Sequence, residues 1–396
     1  MNAKSTSRRK QRVLICTDWF SPGMRAGGPI RSCVNLVNCI SSELRLSILT
    51  GDRDLGSQSP YLGTRPSRWN NWQNKASVLY ASRKQHTLGA FYRTLTRLRP
   101  QVVYLNSMFS LFGTLTPLFI ITFTRSNAKV VLAPRGMLKS TALANRLYRK
   151  SIALFLLRCL RIQHRIHFHA TSIDEADEIQ THFPGATTTV LPNIPVSPLK
   201  QLAVQQEAKK TGSVRLVFVG RVHPIKNLHL VLEFLEQADC QSELNVIGPS
   251  EDVNYDQHCR RLATKIEHKC QVRFHDACSP DETLQWMRNS DCLILPTEGE
   301  NFGHAIFESM AMGTPVLISD QTIWKKLPLV SAGWEFSNAD PKQFTATIEL
   351  LALMSEEEHS IWREGALSYA QRYFDSNAFF GRYLNLLTSQ NSDAGV

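Results

Sequence analysis

The sequence predicts an α/β protein of two doubly wound, Rossmann-like domains facing one another across a cleft. Three observations carry that reading. At 396 residues the chain exceeds what one core usually holds, since cores stop growing near ~250–300 residues, and it suits two. Short β-branched runs alternate with helix-like segments, the rhythm of a parallel sheet with helices on both faces. That alternation halts in a polar, proline-bearing stretch and then restarts. A composition of 43% apolar and 20% charged residues fits folded globular material and excludes collagen-like or broadly disordered chains.

The first domain is assigned to residues 1–195. Its strands are read at Val13–Thr17, Leu46–Thr50, Val78–Ala81, Val102–Asn106, Val130–Ala133, Ile166–Thr171 and Thr188–Leu191, with helices such as Ile30–Ser42 and Asp174–Thr181 between them. Pro192, Pro195 and Pro198 mark a polar linker, placed at 196–212. The second domain, 213–372, repeats the pattern. Its strands are read at Leu216–Val219, Leu244–Ile247, Val272–His275, Cys292–Leu295 and Val316–Ser319. Helices are read near Leu228–Gln237, Tyr255–Glu267, Pro280–Asn289, Phe302–Met312 and Pro341–Met354. Residues 373–396 add an amphipathic helix, Phe374–Leu387, placed where it can return to the first domain, and a disordered tail. Sheets of this kind bind ligands outside the carboxyl ends of their strands, so the chemistry belongs in the loops there.

Charge is divided unequally. Residues 1–210 hold 30 Lys and Arg against 9 Asp and Glu, whereas residues 211–396 hold 15 against 25. A one-sided positive field favours phospholipid, phosphorylated substrate or nucleic acid; the plainer alternative is a solvated basic surface. Nucleic acid is set aside, because no zinc-finger spacing, RNP-like strand or basic zipper accompanies the charge. Within Leu138–Gln163, Leu143, Leu147, Ile152, Phe155, Leu156 and Cys159 recur at near-helical spacing, while Lys139, Arg146, Arg149, Lys150, Arg158 and Arg161 supply a polar side. Such a helix either lies on an anionic leaflet or packs its apolar side on the sheet, and both readings stay open. The uncharged stretch Pro100–Thr124 is broken by Asn106, Gly113 and Pro117, and reads as strand, turn and short core helix rather than a membrane span. No apolar core follows the basic start, so export is not expected. Nine cysteines without a CxxC pair fit buried thiols in a reducing compartment.

The sharpest motif is PTEGENFGHAIFESMAMGTPVLISD, residues 296–320. A buried strand ends at Leu295, a Gly-rich turn follows, and a helix runs from about Phe302. Glu300 and Glu308 lie one in the turn and one on the helix, and the N–H groups of Asn301, Phe302 and Gly303 make a helix start suited to pyrophosphate. Taken alone, the two glutamates are equally a dipole partner and a solvated face residue. The run VFVGRVHPIKN again follows a strand, turns at Gly220, and sets Arg221 and Lys226 near a helix start, where two cations can clamp a diphosphate. The first strand-to-helix crossing, SPGMRAGGPIRS, carries Gly27 and Gly28, which let backbone approach a ligand, without the GxGxxG spacing of a dinucleotide fold. His164, His167 and His169 read as structural, as do Cys259, Cys270 and Cys278, whereas His304 stands open between packing and a sugar contact.

Together these elements resemble the family 4 (group 1) retaining glycosyltransferases of the GT-B fold over nearly the whole chain. The E-x7-E element of that family falls on Glu300 and Glu308, its GR…K element on Gly220, Arg221 and Lys226, and its glycine loop on Gly27-Gly28. The stretches GDRDLG…PYLG…RW (51–69), APRGMLKSTAL (133–143) and SDQTIW (319–324) resemble a branch that builds bacterial surface polysaccharides. The resemblance implies transfer, with retention, of a hexose-type sugar from a UDP- or GDP-linked donor. The acceptor would be a glycan, carried on polyprenyl diphosphate, in exopolysaccharide, capsule or lipopolysaccharide synthesis. Glu308 would hold the ribose, Glu300 would contact the donor sugar, and Arg221 and Lys226 would bind the diphosphate. The amides of Asn301, Phe302 and Gly303 would lie near the sugar.

With no Asp-x-Asp assigned to the cleft loops, neither metal nor other cofactor is implied beyond the sugar nucleotide. The basic domain would face an anionic membrane, which makes the expected location cytoplasmic and peripheral on the inner face of the plasma membrane. Many members carry a histidine in a PHGM-like turn, where this chain reads Pro134-Arg135-Gly136-Met137. Arg135, with Asn106 and Ser107 at the adjoining strand end, is assigned to the acceptor side, although a guanidinium is no base at neutral pH. Two rivals remain: a sugar-nucleotide epimerase or hydrolase of the same fold, which needs no acceptor, and a non-catalytic glycan- or lipid-binding scaffold.

Overall fold

Strands that are apolar at nearly every position must be covered on both faces, and this chain places its runs in parallel sheets. The structure, a computed structural model, describes residues 10–124, 126–139, 143, 147–198 and 208–388. It divides the chain into two units, Met1–Ile194 with Phe379 onward, and Pro195–Ala378.

The first unit holds, among the described residues, an eight-stranded sheet of β1 (Gln11–Cys16), β2 (Leu44–Gly51), β3 (Trp69–Trp72), β4 (Ala76–Ala81), β5 (Val102–Asn106), β6 (Lys129–Ala133), β7 (Ile166–Ala170) and β8 (Thr187–Val190). Their order is β3-β4-β2-β1-β5-β6-β7-β8, all parallel except the β3–β4 pair. Its helices are α1 (Gly28–Ile40), α2 (Leu88–Leu98), α3 (Thr116–Phe123), α4 (Leu147–Cys159) and α5 (Ile173–His182). One face of the sheet builds a core around Leu14, Leu105, Phe168 and Ile179. The strand β3, WNNW, lacked the β-branched signature used to find the others, and it pairs as an antiparallel edge.

The second unit carries β9 (Ser213–Val219), β10 (Gln241–Ile247), β11 (Cys270–His275), β12 (Cys292–Leu295), β13 (Val316–Ser319) and β14 (Gly333–Phe336). They lie in the order β11-β10-β9-β12-β13-β14, and every pair is parallel. Its helices are α6 (Leu228–Gln237), α7 (Val253–Lys265), α8 (Pro280–Arg288), α9 (His304–Ala311), α10 (Pro341–Leu353) and α11 (Glu356–Ser376). The expected boundary at 372/373 falls inside α11, whose capping box at Ser355 and Glu358 opens a helix that the polar sequence concealed. The final helix, α12 (Phe379–Leu387), starts five residues later than the sequence suggested and packs on α1 in the first unit.

Other expectations need correction. The polar linker ends earlier than placed: Lys209 is buried, its ammonium bonded to the carbonyls of Lys210 and Ser213 and lying 3.9 Å from Asp291, and Gly212 N–H donates to Ala352 O at 2.7 Å. Residues 199–207 and the tail from 389 lie outside the described residues. On α4 the faces are the reverse of a helix packed by the residues named for it. Leu154 and Leu157 enter the core, while Ile152, Phe155 (65% exposed), Leu156 (54%) and Cys159 face outward. Of that stretch, residues 140–142 and 144–146, Arg146 among them, lie outside the described residues, as do the side chains of Leu147 and Arg149. No described helix is long and apolar enough to cross a membrane.

A buried hydrogen-bond chain fixes the carboxyl ends of β5 to β8. Arg135 donates to the Tyr104 hydroxyl at 2.8 Å, that hydroxyl lies 2.8 Å from His169 Nδ1, and His169 Nε2 lies 2.9 Å from Leu191 O. The chain of donors requires a neutral imidazole that accepts at Nδ1 and donates at Nε2. Tyr383 of α12 sets its ring edge-on to His169 and donates to Pro192 O at 2.9 Å, which anchors the terminal helix. Burial, then the charge of Arg135, pushes the His169 imidazole down to about 3. A base depressed this way costs nothing above its unfolded value of about 6.5, and stability is lost as pH falls below it, because only the unfolded chain takes the proton. Urea unfolding of the first unit is therefore expected to weaken by up to about 1.4 kcal/mol per pH unit from this group between pH ~6.5 and ~4. His169→Phe should flatten that slope while lowering stability at pH 7; an unchanged slope would refute the assignment.

Candidate active site

In the second unit the site begins where β9 and β10 end. Gly248 has φ +145°, and a Cβ there would stand 2.1 Å from the carbonyl oxygen of Gly220. Only glycine allows this approach. Gly220 itself meets nothing closer than the Lys226 side chain at 3.8 Å, so of the two it is the missed Gly248 that sterics demand.

The loop after β9 is then sewn to the loop after β12. Asn227, left-handed at φ 54°, donates from Nδ2 to Pro296 O at 2.9 Å. Thr297 Oγ1 and Glu298 N both donate to Ile225 O, at 3.1 and 2.9 Å. Across this seam Lys226 Nζ pairs directly with Glu300 Oε1, both side chains being mostly buried. The sequence put these two residues in one site, and the structure makes them partners. Arg221, more exposed, pairs with Glu251, which the sequence did not single out.

The helix carrying the second glutamate starts two residues later than read. Gly303, at φ +76°, is its N-cap, and a Cβ there would press on Ile306 Cδ1 at 3.0 Å and Trp324 Nε1 at 3.2 Å. The amides at the helix start therefore belong to His304, Ala305 and Ile306, and the N-cap residue itself, a glycine, has no side chain to cap them. Phe302 is a core residue: its ring meets Trp324 edge-on at 5.3 Å, and its carbonyl accepts from Trp324 Nε1 at 2.8 Å. The tryptophan of SDQTIW thus braces the turn, and of 301–303 only Asn301 remains partly exposed. Glu308, on the second turn of α9, is 4% exposed, so it is not a solvated face residue. A paired lysine, a rim arginine and a helix start whose N-cap is a glycine can together receive an anion.

In the first unit, Gly27 has φ +61° and caps α1, whereas Gly28 is simply the first helical residue. The loop is propped by the 51–69 stretch. Asp54 Oδ2 accepts from Met24 N at 2.7 Å and Arg25 N at 3.1 Å, and Tyr61 packs where a Cβ on Gly23 would lie 2.6 Å from its hydroxyl. Asp52-Arg53-Asp54 is an Asp-x-Asp that the sequence reading did not count. Its carboxylates are committed, Asp52 to Arg53 at 2.8 Å and Asp54 to the loop amides. No group of three metal-ligating side chains occurs among the described residues, and His164 is exposed, apart from the bonded His167 and His169.

The acceptor-side trio is drawn together but largely used up. Arg135, at φ +60°, donates from Nε to Asn106 Oδ1 at 2.7 Å, from one terminal nitrogen to Asn193 and from the other to Tyr104. Asn106 in turn donates to Thr17 Oγ1 at 3.3 Å, and Ser107 Oγ contacts Met137 Sδ at 3.4 Å. Arg135 ties strand ends together through these bonds.

Two further ionisable side chains stand at this edge: Asp18 in the loop after β1, and His86, whose Nε2 lies 3.2 Å from Ala81 O. The Asp18 carboxylate accepts from Ser110 Oγ, which also caps the tight turn at Leu111–Leu115. His86 stacks on Phe112 of that turn at 3.9 Å and is exposed. The sequence offered one signal: Asp18 is the only acidic residue among the first 42. Burial pushes the Asp18 carboxyl up, against the lowering pull of Ser110 and of the His86 charge. A raised acid favours the protonated native state, so its contribution is fully present below the unfolded value of about 3.9 and lost as pH rises through the folded one. Asp18→Asn is expected to melt higher than the parent at pH 7, with the gap closing toward pH 4; a lower melting point at pH 7 would show that the ionised carboxylate is structural.

The model of the family described as "Glycosyl transferases group 1" matches residues 200–367. Among curated relatives, the D-inositol 3-phosphate glycosyltransferase of Streptomyces bingchenggensis is 26% identical over 168 residues, 38% of this chain and 37% of that protein. The one from Corynebacterium efficiens is 30% identical over 154 residues, 36% and 35% of the two chains. The chain thus spans little over a third of the length of these relatives. Among solved structures, Anabaena HepE in complex with UDP and glucose superposes with a TM-score of 0.72 at 13% identity, covering 95% of this chain and 99% of that one. Sucrose-phosphate synthase from Thermosynechococcus elongatus gives 0.70 at 14%, covering 95% and 98%. WaaG, a glycosyltransferase involved in lipopolysaccharide biosynthesis, gives 0.66 at 15%, covering 95% and 100%. At these identities the structural likeness is one of fold, the GT-B arrangement of two Rossmann-like domains.

Proposed function

Through its carboxyl-terminal domain the chain belongs to the group 1 glycosyl transferases, and from that premise we propose that it moves a hexose from a UDP- or GDP-linked donor to a glycan acceptor with retention at the anomeric carbon. The observation that carries this is the Lys226–Glu300 pair, held across two bonded loops beside the glycine-capped start of α9, with Glu308 buried on the same helix. The donor diphosphate would draw Arg221 from Glu251 and share Lys226 with Glu300. The α9 amides would add fixed dipoles where charge collects on the leaving group. Glu308 suits the ribose hydroxyls and Glu300 those of the sugar.

In the step itself the acceptor oxygen bonds to the anomeric carbon from the face the diphosphate leaves. The breaking C–O bond delivers its electron pair to the diphosphate, and the acceptor proton passes to a departing phosphate oxygen. Asp18 and His86 are assigned to the acceptor, since Arg135 is occupied. Calorimetric titration with UDP, GDP and ADP is expected to find one tight nucleotide, weakened by Glu308→Ala and Arg221→Ala. Lys226→Ala should lower kcat on the order of 10²–10³-fold, the usual loss for one charge-stabilising donor. Equal binding by the variants would remove the donor assignment, and sugar release at full rate without any glycan acceptor would make the protein a hydrolase.

The acceptor is proposed to be lipid-linked, on the pathway to a bacterial surface polysaccharide, because the basic first domain also exposes Ile152, Phe155, Leu156 and Leu160 beside Arg158, Arg161 and Arg165. Apolar side chains amid cations suit an anionic leaflet, which puts the protein peripherally on the inner face of the plasma membrane. Flotation with phosphatidylglycerol vesicles is expected, with none on phosphatidylcholine, and Phe155→Ser with Leu156→Ser should abolish it while nucleotide binding persists. Absence of flotation by the parent protein would sink the membrane reading and leave the donor reading intact.

A further inference from the structure

The amino ends of the first-unit strands lie at the opposite edge of the sheet from Asp18, Gly27 and Arg135, and they carry a cavity that the transfer reaction does not use. We propose that this cavity, of about 540 Å³, is a second ligand site for a phosphate-bearing molecule.

Its charge is the first argument. Arg12 opens β1 and Arg45 opens β2, and the two are register partners in the parallel ladder, so like charges stand side by side. Such pairs are destabilising unless something neutralises them. Arg97 and Arg99, from the end of α2, add two more guanidinium groups to the same walls. None of the four pairs with a carboxylate among the described residues; Arg12 instead donates from Nε to Arg99 O at 3.0 Å, which fixes it in place. Elsewhere the protein does pair its arginines, as with Arg215 and Asp291 or Arg273 and Glu243.

The floor is the second argument. Register sets Ser47 of β2 beside Leu14 of β1 and Ser77 of β4, so the two hydroxyls line the cavity next to one another, and neither is hydrogen-bonded among the described residues. Trp69 supplies an apolar wall. Four guanidiniums, two hydroxyls and an indole around a volume within the usual ligand range suit a phosphate ester, with the forked donors on the phosphate and the remainder against the wall. Adjoining cavities share Arg12, Arg45 and Arg99 with this one and bring Lys10, Lys75 and Lys129, so positive charge continues along the edge. Because the site is at the far end of the strands from the proposed acceptor loop, its ligand anchors or regulates the protein without competing there.

The phosphate could belong to a soluble ester or to a lipid headgroup, and one experiment separates them. Inorganic pyrophosphate and glycerol 3-phosphate are titrated calorimetrically into the full chain, and vesicles of phosphatidylglycerol are tested by flotation. Each is repeated with Arg45→Gln plus Arg97→Gln, which alters two exposed side chains that make no hydrogen bond, and with Arg221→Ala to remove anion binding in the second unit. A soluble-ester site predicts pyrophosphate binding that survives Arg221→Ala, falls at least tenfold in the double variant, and raises the melting temperature of the parent protein but not of the double variant. A headgroup site predicts vesicle binding lost in the double variant with no soluble phosphate bound. If neither ligand binds in the parent, or both bind the double variant equally well, the site does not exist.

Discussion

Lys226 and Glu300 leave different strands and can pair only because the backbone joins their loops first. The bonds from Asn227 to Pro296 and from Thr297 and Glu298 to Ile225 fix the spacing before either charged side chain is considered. An ion pair this well enclosed gains from low local dielectric but also pays desolvation, so its geometry must be held rather than found. The same seam orients α9, since Gly303 can turn only in the left-handed region and Trp324 closes over it. A chain that presents a cation, a carboxylate and a glycine-capped helix start at one seam has organised its dipoles in advance, which is what electrostatic catalysis asks of a protein.

The first unit uses its polar groups differently. Arg135, Asn106, Tyr104 and His169 form a continuous network in which donor and acceptor roles are assigned along the chain and the imidazole stays neutral. Substituting an arginine where relatives of the resembling family carry histidine therefore changes the meaning of the position, not only its charge. A fork with several donors ties three strand ends together, and a single-ring base cannot. Outside that network, burial also shifts other groups at this edge, among them the Asp18 carboxyl, which it pushes up.

Much of this was legible in residues alone. The strands at Val102–Asn106 and Cys292–Leu295 and the helix at Leu228–Gln237 appear where their periodicity put them, because burial on both faces leaves no ambiguity in a β-branched run. Spacing and the family resemblance single out Glu300, Glu308, Arg221 and Lys226, and the structure pairs Lys226 with Glu300. What spacing could not reveal was partnership: Arg221 with Glu251, Lys226 with Glu300, and Gly248 pressed against Gly220 are relations between loops far apart in the chain. The edge strand Trp69–Trp72 and the helix Glu356–Ser376 were hidden for a different reason. One has asparagines where β-branched residues are expected, and the other is polar along most of its length, so tertiary pairing rather than propensity decides both. Helix α4 is the case the sequence leaves open between sheet and leaflet. Its outward apolar side chains look like core residues in sequence, and only burial shows which of them are covered.

The two halves also recognise anions by different physics. Residues 211–396 carry 15 basic against 25 acidic side chains, a balance of −10, yet the site proposed for the diphosphate lies there. Attraction at that site cannot come from a long-range field and must be local: two cations and the amides of α9, acting over a few ångströms in partly buried surroundings that salt screens little. Residues 1–210 carry 30 against 9, a balance of +21, and their cations are spread over exposed surfaces at α4 and along the amino edge of the sheet. Attraction there is long-range, steering and screened within about one Debye length of roughly 8–10 Å. The function proposed above, a charged leaving group kept in one place by a protein that approaches an anionic surface, would use both kinds. Separating them by domain keeps the steering field of one half from depending on the exact arrangement of charges that the other half requires.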